Sequence, residues 1–420
     1  MASQELLPSH TCGRGAGGEG AFNQQRPLHI ALLTHSINPR GGVVHTLELA
    51  NALHNADHTV TIMAPAEAGQ TLFRDMPCEV QLIPVAAASK DTVEMVASRI
   101  DAYVSHLTST LQHQHFDILH AQDSISGNAL ANLKERSLIA GFVRTVHHLD
   151  NFTNPQLATW QMRAWREADT VLCVSQLWRA HMRSEHGVDT QLVHNGVDAE
   201  RYSTRTDASD ARVRGELNIG MNKPVFLAVG GIEERKNTLR ILQAFIQFHA
   251  RMPAARLVIA GGASLLDHNS YSREFHTLLR ESGLSFGAGQ AVHITGTLID
   301  ADMPALFRAA DVLLMPSLRE GFGLVVLEAL ASGTPVVVSQ IAPFTEYLDE
   351  ALCHWCDPSD ADSIADAMRI AASATRGAAL RELAASLIDT FSWQRSAEGH
   401  VALYRKHLAE STSALADATT

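Results

Sequence analysis

Two glutamates, Glu320 and Glu328, frame the most chemically suggestive segment of the chain, MPSLREGFGLVVLEALASGTPVVVS (315–339). An apolar strand ends at Pro316, a glycine-containing loop carries Glu320, and a helix is predicted from about Gly323 to Ser332. Glu328 falls near the middle of that helix, among Val325, Val326, Leu327, Ala329 and Leu330. A carboxylate buried in so apolar a segment is costly unless partners satisfy it, and sugar or ribose hydroxyls would do so. The other reading is a solvent-facing helix residue in a surface ion pair. Glu320, on a loop beside Gly321 and Gly323, is expected to be the more exposed carboxylate and the better placed to reach a ligand.

Two glycine loops could hold the anionic part of such a ligand. In FLAVGGIEERKNTLRILQAF (226–245), Gly230 and Gly231 end a strand, and Arg235 and Lys236 precede a helix starting near Asn237. Cations beside a helix N-terminus oppose the macrodipole if they serve only the fold. A diphosphate lying between them and the helix end makes better sense of the arrangement than a solvated surface pair. In HSINPRGGVVHTLELANAL (35–53), Gly41 and Gly42 open a helix whose free N–H groups either receive an anion or simply close a tight turn. That loop is not GxGxxG, which argues against a nicotinamide oxidoreductase, and no GxxxxGK[ST] occurs for a P-loop ATPase.

Metal chemistry finds little support. His54 and His58 have helical spacing but no HExxH context, and Cys353 and Cys356 form a single CxxC with no second pair. Asp300-Ala-Asp302 and Asp360-Ala-Asp362 resemble a DxD motif, yet each sits at a predicted helix start, where Asp caps free N–H groups. No metal is expected.

The elements around these residues alternate regularly. Apolar runs at 28–35, 59–65, 80–85, 116–122, 141–148, 170–175 and 190–196 each precede a helical pattern. A polar stretch from Asp198 to Lys223 interrupts them, and runs resume at 224–230, 256–262, 291–296, 312–317 and 335–339. Near-continuous Val, Ile and Leu runs suit parallel strands buried on both faces. The chain reads as α/β, with two Rossmann-like doubly wound domains facing across a cleft. We expect a flexible tail over 1–27, a first domain over 28–215 and a second over 216–390. A last helix from Phe391 (391–410), with Trp393, Val401 and Tyr404 as anchors, would pack back on the first domain.

Composition bounds the function. The 420 residues are 46% apolar and 19% charged, which excludes pervasive disorder. The formal charge of −12 disfavours a general nucleic-acid binder while allowing a local basic pocket for one phosphorylated ligand. No run of about 18 apolar residues predicts a transmembrane helix. Five cysteines are too few for a disulfide framework and no secretory signal opens the chain, so the cytoplasm is the expected location. The 22 histidines have no compositional explanation.

The segment EGFGLVVLEALASGTPVV resembles the E-x7-E signature of retaining GT-B glycosyltransferases of family four. The Gly41-Gly42 loop, ValSerGln at 174–176, HisAsnGlyValAsp at 194–198, GluGluArgLysAsn at 233–237 and PheSerTrp at 391–393 follow in that family's order, so the resemblance covers roughly 28–408. It implies a nucleotide-diphosphate sugar as co-substrate, no other cofactor, and a small-molecule, glycan or lipid-linked acceptor. Carried over, Lys236 neutralises the diphosphate, Glu328 takes the ribose, and Glu320 binds hydroxyls of the transferred sugar. Backbone amides near Gly321, Phe322 and Gly323 face the donor, Thr297 and Leu298 approach the base, and Gly41 and Gly42 touch phosphate from across the cleft. His147 matches the family histidine close to the reacting sugar, with His148 beside it. The loops Leu149–Pro155 and Asp267–Tyr271 would select the acceptor. One departure stands out: the family usually has an arginine where this chain has Gly231, leaving Arg235 as the replacement, although successive side chains seldom point the same way. A phosphorylase, a nucleotide-sugar epimerase and a non-catalytic sugar-nucleotide binder remain alternatives on the same fold.

Overall fold

The computed structural model describes residues 26–87, 89–219, 224–262 and 269–418. The first 25 residues, with Cys12, and Asp267 and His268 of the second acceptor loop lie outside the described residues. Among the described residues two all-parallel sheets form. The first holds β1 (His29–Leu33), β2 (Thr59–Ala66), β3 (Glu79–Pro84), β4 (Ile118–Ala121), β5 (Val143–Val146), β6 (Thr170–Cys173) and β7 (Gln191–Leu192). The second holds β8 (Val225–Val229), β9 (Arg256–Ala260), β10 (Val292–Gly296), β11 (Val312–Met315), β12 (Val336–Ser339) and β13 (His354–Cys356). The apolar runs are buried on both faces, as parallel strands require. In β1, Ile30 and Leu32 join one core with Leu47 and Tyr404, while Ala31 and Leu33 join another with Tyr103 and Leu119.

The strand orders are β3-β2-β1-β4-β5-β6-β7 and β10-β9-β8-β11-β12-β13. Chain direction across each sheet therefore reverses between β1 and β4 and between β8 and β11. The crevice beyond the carboxyl ends of such a strand pair is where doubly wound sheets receive ligands. The glycine loops open from β1 and β8, and Glu320 follows β11, so the elements deliver the chemistry to these two crevices.

Three expectations need correction. The helix Ala208–Glu216 falls in the first domain on the predicted boundary, yet its Val213 sits in the second domain's core with Val225, Ala305 and Leu330. Its polar sequence hid one inward residue. The Cys353–Cys356 stretch contains a short edge strand, β13, which three residues are too few to announce; both thiols are free and buried. The last helix begins at Trp393 rather than Phe391.

That helix, Trp393–Ala418, lies against the helix Gly41–Asn55, with Trp393, Ala397 and Tyr404 in the core beside Leu47 and Leu53. Gly196 makes the approach possible, since a Cβ there would overlap the Trp393 backbone. The contact also gathers buried histidines: the rings of His45 and His400 lie 5.9 Å apart, and those of His120 and His400 5.8 Å. The His45 Nδ1 faces the Asn195 amide oxygen at 2.9 Å, and His400 Nδ1 donates to the Ser396 carbonyl at 2.8 Å. Burial, with His400 adding to it, pushes His45 down to about 3, and burial pushes His400 down to about 4. The unfolded chain, whose imidazoles titrate near 6.5, binds more protons than the folded chain below that pH. Stability is thus fully present above pH 6.5 and lost as pH falls toward 4. Thermal melts are expected to show Tm dropping steadily between pH 6.5 and 4.5, with a shallower drop in His400→Phe.

Candidate active site

The loop after β8 carries the cations. Gly230 and Gly231 have φ of +123° and +77°, and a Cβ on Gly231 would come 2.5 Å from the Gly262 carbonyl oxygen. With this backbone a side chain at Gly231 would be strained and would meet the Gly262 carbonyl, so the position contributes no cation here. The turn ends at Asn237, itself at φ +61°, whose side-chain nitrogen donates to the carbonyls of Pro316 and Pro358 at 2.9 and 2.7 Å. Those bonds pin the loop to the exit of β11.

Pinned in this way, the two cations converge. Lys236 Nζ lies 2.8 Å from Glu320 Oε2, and the Arg235 guanidinium pairs directly with Oε1. The expected divergence of consecutive side chains belongs to extended backbone; here Arg235 and Lys236 lie in a hydrogen-bonded turn, with the Lys236 N–H donating to the Glu233 carbonyl and the Asn237 N–H to that of Glu234 at 3.1 and 2.8 Å. Glu320 is not the more exposed carboxylate either: it is 6% exposed and Glu328 7%. Burial alone would raise the Glu320 pKa, but Arg235 and Lys236 outweigh it and hold it at about 2. Burial lowers the Lys236 pKa, and Glu320 opposes that fall. Glu233 lies 3.4 Å from the Arg235 guanidinium as well, so Arg235 is shared between two carboxylates while Lys236 is paired with Glu320.

Glu328 lies in the helix Leu324–Ala331 and faces a different set of groups. Burial and the nearby Glu48 raise its carboxyl to about 7, against the pull of Arg201 and Arg74. Arg74 makes two bonds to Asp300, at 2.7 and 3.0 Å, and one to Glu48 at 2.5 Å, while Arg201 reaches Asp300 at 2.7 Å. This network ties the first domain to the second beside the helix that bears Glu328. It also corrects the reading of Asp300 and Asp302: neither caps a helix by its side chain, since Asp302 pairs with Arg212. Asp360 does cap, accepting from the Asp362 N–H at 2.9 Å. Nothing in the sequence pattern marked Glu48, Arg74 or Arg201, because their partners come from distant segments.

The first domain closes the site from above. A Cβ on Gly321 would lie 2.5 Å from the His147 carbonyl oxygen, and Trp178 Nε1 donates to the Glu320 carbonyl at 3.1 Å. His147 packs against Gly42, where a Cβ would meet its ring at 3.5 Å. The helices starting at Gly41 and Leu324 have no side-chain cap, so their first N–H groups are open. His147, Gly42, Arg235, Lys236, Glu320 and Gly321 thus come together. Phe322 turns its ring into the core on Tyr347, leaving only its backbone available. Thr297 is exposed beside Gly262, and Leu298 packs against the second-domain core. His148 borders the cluster, its Cβ 4.0 Å from where a Cβ on Gly321 would lie, and its ring turns to Asp150 at 3.5 Å. Two cavities of about 570 and 680 Å³ lie elsewhere on the second domain, lined by residues such as Trp355 and Asp366 or Phe248 and Arg376, and contain none of these groups.

The comparisons with known proteins agree with this architecture. Residues 39–201 match the profile described as Glycosyltransferase Family 4, and residues 209–382 match that of Glycosyl transferases group 1. The chain belongs to the GT-B glycosyltransferases of family four. It is 28% identical to the D-inositol 3-phosphate glycosyltransferase of Salinispora tropica, over 99% of this chain and 92% of that one. It is 27% identical to the enzyme of the same name from Mycobacterium tuberculosis, over 96% and 83%. Sucrose-phosphate synthase from Thermosynechococcus elongatus superposes with a TM-score of 0.73 at 22% identity, covering 91% of this transferase and all of that structure. HepE of Anabaena, solved with UDP and glucose, gives 0.67 at 18% identity, covering 92% and 99%. The reaction of this family-four enzyme is glycosyl transfer from a nucleotide sugar with retention. No helix among the described residues is long and apolar enough to cross a membrane.

Removing the shared carboxylate tests the electrostatic balance. Glu320→Gln leaves the half-buried Lys236 without its carboxylate and Arg235 with Glu233 alone, and is expected to cost about 3 kcal/mol in urea unfolding. Inorganic pyrophosphate should stabilise that variant more than the parent.

Proposed function

We propose that the nucleotide sugar lies along the crevice between β8 and β11, with its diphosphate against Lys236, Arg235 and the open helix starts. The convergence of those two cations on Glu320 carries this reading. Cleavage of the glycosyl bond places additional negative charge on the departing diphosphate and positive charge on the sugar ring. Lys236, Arg235 and the N–H groups near Gly41, Gly42, Gly321 and Gly323 would stabilise the first without proton transfer. Glu320 both holds the cations and offers an anionic face to the sugar side. The acceptor would approach from the first domain past His147, and delivery to the same face retains the anomeric configuration. Closure of the two domains would keep water from hydrolysing the donor. We place the enzyme in the cytoplasm, where nucleotide sugars are made.

Lys236 is assigned the larger share of charge compensation. Lys236→Ala is expected to lower kcat/KM by about 10²–10³, the cost of losing one preorganised charge partner. Arg235→Ala should cost less, because Arg235 is also engaged by Glu233 at 3.4 Å. Initial rates of nucleoside diphosphate release over a panel of donors and acceptors measure both. D-inositol 3-phosphate is the first acceptor to include, since it names the curated relatives. Before any acceptor is known, a thermal-shift panel of nucleoside diphosphates and their sugars tests donor binding. A matching ligand at 100 times its Kd adds about 2.7 kcal/mol, enough for a shift of several degrees. No stabilisation by any member would overturn the reading.

Glu328 is assigned to the ribose hydroxyls, which donate best to an ionised carboxylate. With its carboxyl raised to about 7, ionisation grows as pH rises through neutrality. Donor Kd measured by calorimetry is expected to tighten between pH 6 and 8, with the dependence flattened in Glu328→Gln. A nucleotide sugar, rather than the free diphosphate, keeps ligand ionisation constant across that range.

A further inference from the structure

We propose that Tyr404, His120 and Gln122 form a hydrogen-bond relay that fixes which nitrogen of His147 carries the proton. The inference rests on the reading above that His147 meets the transferred sugar. His147 Nε2 lies 3.2 Å from Gln122 Oε1, and Gln122 Nε2 lies 3.3 Å from His120 Nε2. His120 Nε2 is also 2.8 Å from Thr145 Oγ1, while its Nδ1 is 2.7 Å from the Tyr404 hydroxyl. His120 and Tyr404 are fully buried and Gln122 is 2% exposed, so water does not compete along the chain.

The donor and acceptor roles follow from the groups themselves. An amide nitrogen only donates, so His120 Nε2 must be the bare, accepting nitrogen. Its single proton then sits on Nδ1 and is donated to the Tyr404 oxygen. An amide oxygen only accepts, so His147 Nε2 must carry that ring's proton. His147 Nδ1 is left as a lone pair, able to accept from a sugar hydroxyl. Turning the Gln122 amide over would reverse each of these roles together, with the Thr145 hydroxyl able to follow either, so the polarity is a collective property of the chain, and the one we propose has the amide oxygen toward His147 and the nitrogen toward His120. Burial holds both imidazoles well below their ordinary pKa, which keeps each ring neutral with one proton to place. The other charged or titratable groups near the relay are Arg144 from β5, His148 just after it, His45 from the helix Gly41–Asn55, and His400 and His407 from the terminal helix. None of them makes a hydrogen bond to His147 in the described structure, and His45 only packs its ring at 4.6 Å.

Tyr404 and His120 are thus positioning residues, and the terminal helix reaches the reacting centre through them. This gives two of the surplus histidines a task. The test is ¹⁵N NMR of histidine-labelled protein at pH 7.5, with His147 assigned from the signal missing in His147→Ala. The parent is expected to show one His147 tautomer, protonated at Nε2 and bare at Nδ1. Tyr404→Phe and Gln122→Leu should each show a mixture of tautomers, with kcat lowered about tenfold and donor KM within about twofold of the parent. A parent protonated at Nδ1, or variants that keep the parent tautomer, would overturn the relay. Parent-like turnover in His147→Ala would instead remove His147 from the sugar site, and the spectra would still decide the relay by themselves.

Discussion

A buried carboxylate shared by two consecutive cations is the interaction on which the rest of the site depends. Glu320 cannot be left alone at 6% exposure, and the half-buried Arg235 and Lys236 supply its partners beside a helix start. Consecutive side chains reach one point because they lie in a hydrogen-bonded turn over 233–237, which Gly230, Gly231 and Asn237 flank at positive φ. The side chain of Asn237 then bonds the exits of neighbouring segments, so the turn cannot relax without disturbing β11. The cluster sits at the crevice that the strand order creates.

The second constraint is closure. Among the described residues, three groups of contacts between the domains flank the cleft. The His147 carbonyl meets the Glu320–Gly321 loop, and Trp178 bonds the Glu320 carbonyl. Glu346 accepts from the N–H groups of Gln176 and Leu177 at 2.8 and 2.7 Å, so a second-domain carboxylate caps a first-domain helix. Arg74 bridges Glu48 and Asp300 near Glu328. On the donor placement we propose, the first group would lie at the reacting end and the third at the ribose end, and the closed arrangement would shield both.

Much of this was legible in the sequence, for identifiable physical reasons. Strands buried on both faces leave unbroken Val, Ile and Leu runs, so the twelve longer runs and their division into two units could be read directly. The glycine loops and E-x7-E segment are local in sequence, and so their chemistry was too. What escaped was long-range. Glu48, Arg74 and Arg201 meet Asp300 only in the folded chain, and Asp300 therefore resembled a cap. The exposure of Glu320 was misjudged because a glycine loop signals solvent, whereas Trp178 and His147 arrive from the other domain to cover it. Arg235 was doubted on the alternation of extended neighbours, whereas 233–237 forms a hydrogen-bonded turn. The buried histidines became intelligible only once the terminal helix was seen lying on the first domain.

The central claim, that the paired cations receive a diphosphate, is tested most directly by ³¹P NMR of a stabilising nucleotide sugar titrated with the enzyme. Both phosphorus resonances should shift and broaden with the parent and remain at their free positions with the Arg235→Met, Lys236→Met double variant, provided circular dichroism shows it folded. Equal shifts with the parent and the folded double variant would contradict the account.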